Sequence, residues 1–346
     1  MGSKGIVLIT GINGYIAGVT AKVFLEAGYS VRGTARSISS TKGIQEALKQ
    51  YVDDGRLTFA EVPDIIVDGA FDKAVQGVHA ILHLASPVSL SFTEAEPVIK
   101  AAREGTRTIL SSAINHAGPS LRTIALAASI ASILGGKPAG SYYTEEDWSP
   151  LDPDALPADP TGPTIYRASK TAAERTFWAF RASHKPAFTM SAVNPAFVSG
   201  PPLALPADPA RLNETTRLTY DVLAGRDVDL QTGDYALRAA VHVRDVAALF
   251  LWVVENAAAA DGQRYIAANG QATNGQAIAD VLRAAYPLRR NVIKEGTPGE
   301  GYMPGYAFSP DGFNFDNTKA TKATGIKWIP SEEMILETAK AFERYL

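Results

Sequence analysis

Along the first half of the chain, short apolar runs alternate with longer stretches whose apolar residues recur at helical spacing. The runs Gly5–Thr10, Ser30–Arg36, Leu57–Val62, Ala80–Ala85, Thr123–Ser129 and Phe188–Pro195 have the length of strands. Several are apolar throughout rather than alternating, which is the pattern of parallel strands covered on both faces. Between them lie Gly14–Gly28, Thr41–Val52, Asp68–Gln76, Glu94–Ala117 and Pro163–His184, each long enough for a helix. Repeated alternation of this kind predicts an α/β fold built on a Rossmann-type, doubly wound parallel sheet.

The second half is less regular. Pro150 to Pro163 holds five prolines, Pro201 to Pro209 four, and Pro298 to Pro310 three. None of these stretches can be one regular element throughout, because proline fixes its own φ and removes a donor. The third, continued to Phe313, also carries Tyr302, Met303, Tyr306, Phe308 and Phe313, too apolar for a solvated linker and better suited to a pocket wall. The expected division is a dinucleotide-binding domain over 1–195 and 240–270. A smaller, mostly C-terminal substrate-binding region is expected over 196–239 and 271–346.

Composition narrows the possibilities. With 346 residues, 46% of them hydrophobic and 20% charged, the chain has an ordinary globular make-up, and a disordered or fibrous protein is excluded. Lys+Arg 33 against Asp+Glu 36 gives a net charge of -3 with no basic block, so nucleic acid is not an expected partner. Cys 0 removes disulfides, thiolate metal sites and cysteine nucleophiles, and no metal is expected. The first residues have no apolar signal core, and no apolar run approaches the roughly 20 residues of a membrane span. A soluble, cytoplasmic protein is expected, and nothing in the sequence indicates an oligomer.

The first strand runs directly into Thr10-Gly11-Ile12-Asn13-Gly14-Tyr15-Ile16-Ala17. Two glycines three apart, followed by a small residue, permit a tight turn and close approach of backbone to a pyrophosphate. The helix N-terminus that follows offers free N–H groups and a positive dipole end. Thr10, Gly11, Asn13, Gly14, Tyr15 and Ile16 are therefore candidate cofactor contacts. An NAD site places an acidic residue about 20 positions further on, against the ribose 2′-hydroxyl. No Asp or Glu lies between Glu26 and Glu46 here; the window holds Arg32, Arg36 and Lys42 instead. A guanidinium grips a 2′-phosphate through paired, charge-assisted hydrogen bonds, which favours NADP(H), with Arg36 the first candidate and Arg32 the second. Asp64 and Ile65 follow the third strand where an adenine would lie, although Asp64 is equally suited to starting a turn. His83 reads as a core residue, while Leu84, Ala85 and Ser86 leave room for a cofactor backbone.

Tyr166 and Lys170 stand four apart on a predicted helix and so share a face. A phenol, with an unperturbed pKa of about 10, is a poor acid–base group at neutral pH. A nearby ammonium favours its phenolate and brings it toward working range. Ser129, ending a neighbouring strand, can hold the same substrate oxygen.

With this loop, Tyr166-x-x-x-Lys170 and Val241-His242-Val243-Arg244-Asp245-Val246-Ala247, the chain resembles the extended short-chain dehydrogenase/reductases. It is most similar to their dihydroflavonol-reductase-like branch, which includes fungal carbonyl and aldehyde reductases. Val31 to Ser37 and His83-Leu84-Ala85-Ser86-Pro87 are typical of that branch. The resemblance implies a catalytic set of Ser129, Tyr166 and Lys170, with Arg36 on the 2′-phosphate. It also implies that Pro195, Phe197 and Val198 pass the nicotinamide, and that His242 and Asp245 are structural. The branch usually has Thr-Ser-Ser at the strand end, where this chain has Ala127-Ala128-Ser129, and Ser132 remains a rival to Ser129.

The activity implied is NADPH-dependent reduction of a small-to-medium, largely apolar aldehyde or ketone, with Tyr166 as proton donor. Val88, Ile130, Tyr142, Phe197, Pro201 and Tyr220 are candidate pocket residues, though core packing explains each as well. A nucleotide-sugar epimerase or dehydratase, or a non-catalytic NADP-binding redox sensor, shares the fold and stands as the alternative.

Overall fold

The computed structural model describes residues 3–86, 89 and 91–346. In chain order the strands are β1 (Ile6–Thr10), β2 (Ser30–Ala35), β3 (Leu57–Glu61), β4 (Ala80–His83), β5 (Thr123–Ala127) and β6 (Tyr142–Tyr143). They continue as β7 (Thr189–Pro195), β8 (Phe197–Ser199), β9 (Arg238–His242), β10 (Arg264–Ala267), β11 (Ala272–Thr273) and β12 (Asn314–Phe315). The helices are α1 (Tyr15–Glu26), α2 (Lys42–Ala47), α3 (Lys49–Asp53), α4 (Ala95–His116), α5 (Gly162–His184) and α6 (Glu214–Leu223). After these come α7 (Val243–Glu255), α8 (Ala257–Ala260), α9 (Gly275–Ala285), α10 (Thr318–Thr324) and α11 (Ser331–Phe342).

Seven strands form one sheet in the order β10-β7-β5-β4-β1-β2-β3. The pairs from β7 through to β3 are parallel. The order reverses beside β1, which opens a crevice at the carboxyl ends of β1 and β4, where ligands of such sheets bind. β1 and β4 are buried along nearly their whole length, as their unbroken apolar runs require.

The chain divides into two compact units: 1–136, 146–194 and 247–265 form the larger, and 137–145, 195–246 and 266–346 the smaller. The smaller unit thus takes in 137–145, 195, 240–246 and 266–270, which the expected division places in the first domain. In the larger unit, Leu8, Phe71, Ile81, Ile109, Leu110, Ile124 and Phe177 belong to one buried cluster. α4 and α5 pack on each other, with Ile99 against Ala168 and Ala172. α5 begins where Thr161 caps the Thr164 N–H and Pro163 pre-sets the first turn; it ends at Lys185, whose φ of 44° leaves the helical region.

Two of the predicted helices differ. Thr41–Val52 breaks into α2 and α3, which meet at the non-helical Leu48 and follow a 3-10 turn over Ile38–Thr41. Asp68–Gln76 is a run of turns rather than a helix. Gly69 and Gly77 both take positive φ, 78° and 69°, and the first bonds of the segment reach back three residues. Its apolar residues, Phe71, Ala74 and Val75, are buried all the same, so the periodicity reported burial rather than a helix.

In the smaller unit, β9 pairs with β8 in parallel and with β11 antiparallel, while β12 pairs with β6. α6, α9 and α11 pack together around Leu218, Leu223, Ile278, Leu282, Ile335 and Phe342.

Candidate active site

The turn between β1 and α1 is shaped by what its residues lack. Gly11 has φ 67°, and a Cβ there would lie 3.1 Å from the Ala85 Cα. A Cβ on Gly14 would lie 3.0 Å from the Gly11 carbonyl oxygen, to which the Gly14 N–H donates at 2.8 Å. Ile12 turns inward, fully buried, and its N–H bonds the Thr34 carbonyl. It fills the space over Gly33, where any Cβ would come within 2.5 Å of it. Gly33 is thus a requirement of the loop, and its signal was a glycine inside a buried strand.

Thr10 closes the same corner. Its hydroxyl accepts from the Leu84 and Ala85 N–H groups at 3.0 and 2.9 Å, which leaves its single proton for His83 Nδ1 at 3.0 Å. His83 therefore carries its proton on Nε2. Burial pushes its pKa down to about 3, with the Lys170 charge acting in the same direction. The Thr10 side chain thus locks β1 to β4, and His83 is the core residue its sequence context suggested. Asn13 is exposed and donates to Ser40 Oγ at 3.3 Å, and burial raises the Tyr15 pKa well above the ordinary phenol value. Ile16 and Ser86 are half-buried, at the start of α1 and just beyond β4.

At the end of β2 the two arginines part company. Arg36 is exposed and, among the described residues, has no hydrogen-bond or ion-pair partner. Arg32 points its guanidinium at the Ala74 and Gln76 carbonyls, 2.7 and 2.9 Å away. This corrects the expectation that Arg32 is a second phosphate ligand: it sits mid-strand and anchors the turns after β3. Tertiary structure also brings in a carboxylate the local sequence lacked, since Glu61 at the end of β3 accepts from the Ile38 N–H at 3.1 Å. Asp64 is exposed and accepts from the Ile66 N–H at 3.0 Å, the turn-starting role. Ile65 packs onto Gly105 of α4, and its carbonyl accepts from Thr108.

Beyond β5, Ser129 caps a short 3-10 turn, its Oγ accepting from the Ala131 N–H at 3.1 Å. The Tyr166 hydroxyl donates to that Oγ at 3.5 Å. Lys170, one turn further along α5, is buried and donates from Nζ to the Ala127 carbonyl at 3.2 Å. Burial lowers its pKa to about 8, against the opposing charge of Glu174, so the ammonium still predominates at neutral pH. Ser132 faces the other way, fully buried and within hydrogen-bonding reach of Glu174 and Asn194. Of the two serines, only Ser129 meets Tyr166. Asn194 turns its Nδ2 to the Ser129 carbonyl, Ser132 Oγ and Glu174, and its buried Oδ1 has no partner among the described residues. Ile130, next to Ser129, is half-buried.

The remaining candidates belong to the smaller unit, except Val88, which lies outside the described residues. Pro195 and Val198 are buried, and the Phe197 ring lies 5.1 Å from the Arg238 guanidinium. Tyr142 is largely exposed, edge-on to Phe308. Pro201 lines a shallow groove with Ala285, Tyr286 and Leu336. Tyr220 is corrected from pocket wall to core: α6 buries it edge-on against Phe342 and Tyr345.

A doubly wound sheet, a glycine cradle at its first turn and a Ser–Tyr–Lys set beyond β5 define an extended short-chain dehydrogenase/reductase. The chain belongs to the NAD dependent epimerase/dehydratase family, whose model matches residues 7–268. It is 30% identical over 331 residues to the ketoreductase azaE of Aspergillus niger, covering 92% of each chain. It is 28% identical over 352 residues to the NADPH-dependent methylglyoxal reductase GRE2 of Saccharomyces cerevisiae, covering 98% of each. The crystal structure of yeast methylglyoxal/isovaleraldehyde reductase Gre2 complexed with NADPH superposes with a TM-score of 0.84 at 25% identity, again covering 98% of each chain. Among the described residues, no helix is long and apolar enough to cross a membrane.

Proposed function

We propose that the protein reduces aldehydes or ketones to alcohols with NADPH, using Ser129, Tyr166 and Lys170. The observation that carries the catalytic assignment is the Tyr166 hydroxyl on Ser129 Oγ, with a buried lysine one turn further along the same helix. The reductases reported above support the reaction class. The β1–α1 cradle, open because Gly11 and Gly14 carry no side chain, and Arg36, without a partner among the described residues, fit NADP(H): the first suits a pyrophosphate and the second a 2′-phosphate.

When bound, NADPH supplies the hydride. Tyr166 gives its proton to the oxygen of the reduced carbonyl as negative charge develops there, and Ser129 hydrogen-bonds the same oxygen. The Lys170 ammonium stabilises the phenolate left behind. Proton transfer from a positioned group contributes about 10²–10⁴-fold to such a reaction, and the aligned donors add charge stabilisation. Tyr142, Phe197 and Pro201 remain the candidate substrate contacts in the smaller unit, for a small, largely apolar carbonyl compound. Neither a nucleic-acid partner nor a membrane is part of this reading, and its site of action is the cytoplasm, which fractionation of the source cells checks.

The test is oxidation of NADPH and of NADH against a panel of aldehydes and ketones. Consumption of NADPH, with NADH far slower, is expected. Silence with both cofactors despite NADPH binding would overturn the reductase reading, in favour of an epimerase or a redox sensor.

A further inference from the structure

Glu174 follows Tyr166 and Lys170 at the next turn of α5, so the three stand in line on one helix face. Its side chain is fully buried. Oε1 accepts from Arg264 Nε at 2.7 Å and from Trp178 Nε1 at 3.3 Å. Oε2 accepts from Asn194 Nδ2 at 2.9 Å and Arg264 Nη2 at 3.1 Å, with the Ser132 hydroxyl also in donating reach. Arg264 is held in turn, its Nη1 on the Asp147 carbonyl at 2.6 Å and its guanidinium 4.0 Å from the centre of the Trp148 ring.

A buried ion pair is a weak source of stability compared with apolar packing of the same volume, but it fixes geometry. What this one fixes is visible at the Ser129 carbonyl, which three donors surround. These are Asn194 Nδ2 at 3.2 Å, the Ser132 N–H at 3.1 Å and Ser132 Oγ at 2.6 Å, whose single proton goes either to this carbonyl or to Glu174. Two of the three are side chains that also touch Glu174. The serine that meets Tyr166 is therefore tied, through one residue on either side, to a carboxylate two turns along from Tyr166 on the same helix.

We propose that Glu174, locked by Arg264, is a positioning residue of the reaction: through Asn194 and Ser132 it sets the place of Ser129, and its charge acts on the Lys170 ammonium one turn away. The inference rests on the assignment of Ser129, Tyr166 and Lys170 as the catalytic set. The surroundings of Lys170 make Glu174 its main charged neighbour. α5 itself offers Tyr166 and Glu174, β4 offers the neutral His83, and β5 offers the Ala127 carbonyl. α4 meets α5 through the apolar Ile99, and Arg264 of β10 stands behind Glu174. Burial draws the Lys170 pKa down and the Glu174 charge opposes it, so removing that charge lowers it further.

The experiment compares Glu174→Gln, Ser132→Ala and Tyr166→Phe in the full chain, with kcat expressed per NADPH-binding site. Glu174→Gln is expected to lose about tenfold or more in kcat, the scale of a small misplacement of reacting groups, at an unchanged KM for NADPH. The alkaline limb of its pH profile moves to lower pH. Ser132→Ala keeps every charge and is expected to lower kcat with the limb in place. If Glu174→Gln does not fold, Glu174→Asp takes its place: it retains the charge, retracts the carboxylate, and is expected to lower kcat while leaving the limb where it was. Wild-type kcat per site and an unmoved limb in Glu174→Gln would reduce Glu174 to a structural part. Wild-type kcat in Ser132→Ala, or in Glu174→Asp where that variant stands in, would overturn the positioning of Ser129. Full activity in Tyr166→Phe would instead remove the catalytic assignment itself, which keeps the two failures apart.

Discussion

At the β1–α1 turn the candidate ligand surface is backbone, kept open by residues that have no side chain, whereas around Ser129 it is side chains held in place by other side chains. Gly11, Gly14 and Gly33 act by exclusion: a Cβ on Gly33 would clash with Ile12 at 2.5 Å, and one on Gly11 or Gly14 would crowd its neighbour at 3.1 or 3.0 Å, at Gly11 with a φ of 67° as well. Ser129 and Lys170 act through contacts, and their supports, Ser132, Glu174, Asn194 and Arg264, are themselves buried and bonded to one another. A site made by exclusion tolerates no addition. A site made by contacts tolerates no loss.

The sharpest way to break the comparison is Tyr166→Phe. Turnover is expected to fall by about 10²–10⁴-fold, the worth of a positioned proton donor, while NADPH binding followed by fluorescence stays close to wild type. Arg36→Ala comes next. Losing charge-assisted bonds worth about 1.5–3 kcal/mol lowers kcat/KM with NADPH by roughly ten- to a hundredfold and leaves NADH nearly untouched. Arg32→Met makes the control, since its carbonyl contacts predict a lower melting temperature with cofactor preference intact.

Gly33→Ala tests exclusion directly. The new methyl meets Ile12 and is expected to destabilise the fold by about 1–3 kcal/mol, read by thermal unfolding. Pairing it with Ile12→Ala, which vacates the space, should recover part of that loss, and a purely additive pair would contradict the packing account. The subtlest effect lies in the pH profile. The Lys170 pKa is lowered, so its ammonium is complete well below pH 8 and is lost as pH rises through about 8. The kcat/KM of carbonyl reduction is expected to fall along that limb, and a flat profile to pH 9 and beyond, where about nine-tenths of the lysine would be neutral, would contradict it.

Much of this was readable from residues alone, and the reason is the same in each case: the information was local. The glycine spacing from Gly11 to Gly14 is a statement about one turn, and Tyr166 and Lys170 at four apart are a statement about one helix face. Where local pattern admitted two answers, tertiary contacts decided. Apolar periodicity over Asp68–Gln76 marked burial correctly but not the helix, because Gly69 takes a φ of 78°. Tyr220 carried no mark to distinguish a pocket wall from a core ring.

What the sequence by itself determined, then, is the strand–helix alternation of the first half outside Thr41–Val52 and Asp68–Gln76, the glycine spacing of the β1–α1 turn and the four-residue spacing of Tyr166 and Lys170 on α5. These depend on backbone preference and on neighbours a few positions away. The tertiary structure alone decided that Arg36 has no partner among the described residues while Arg32 has two carbonyls, that Ser129 rather than Ser132 meets Tyr166, and that Glu61 arrives beside the loop after β2. It also decided that Glu174 finds Arg264. Each of these outcomes depends on which side chain reaches a partner far away in the chain, and a buried charge or hydroxyl settles only where such a partner completes its bonds.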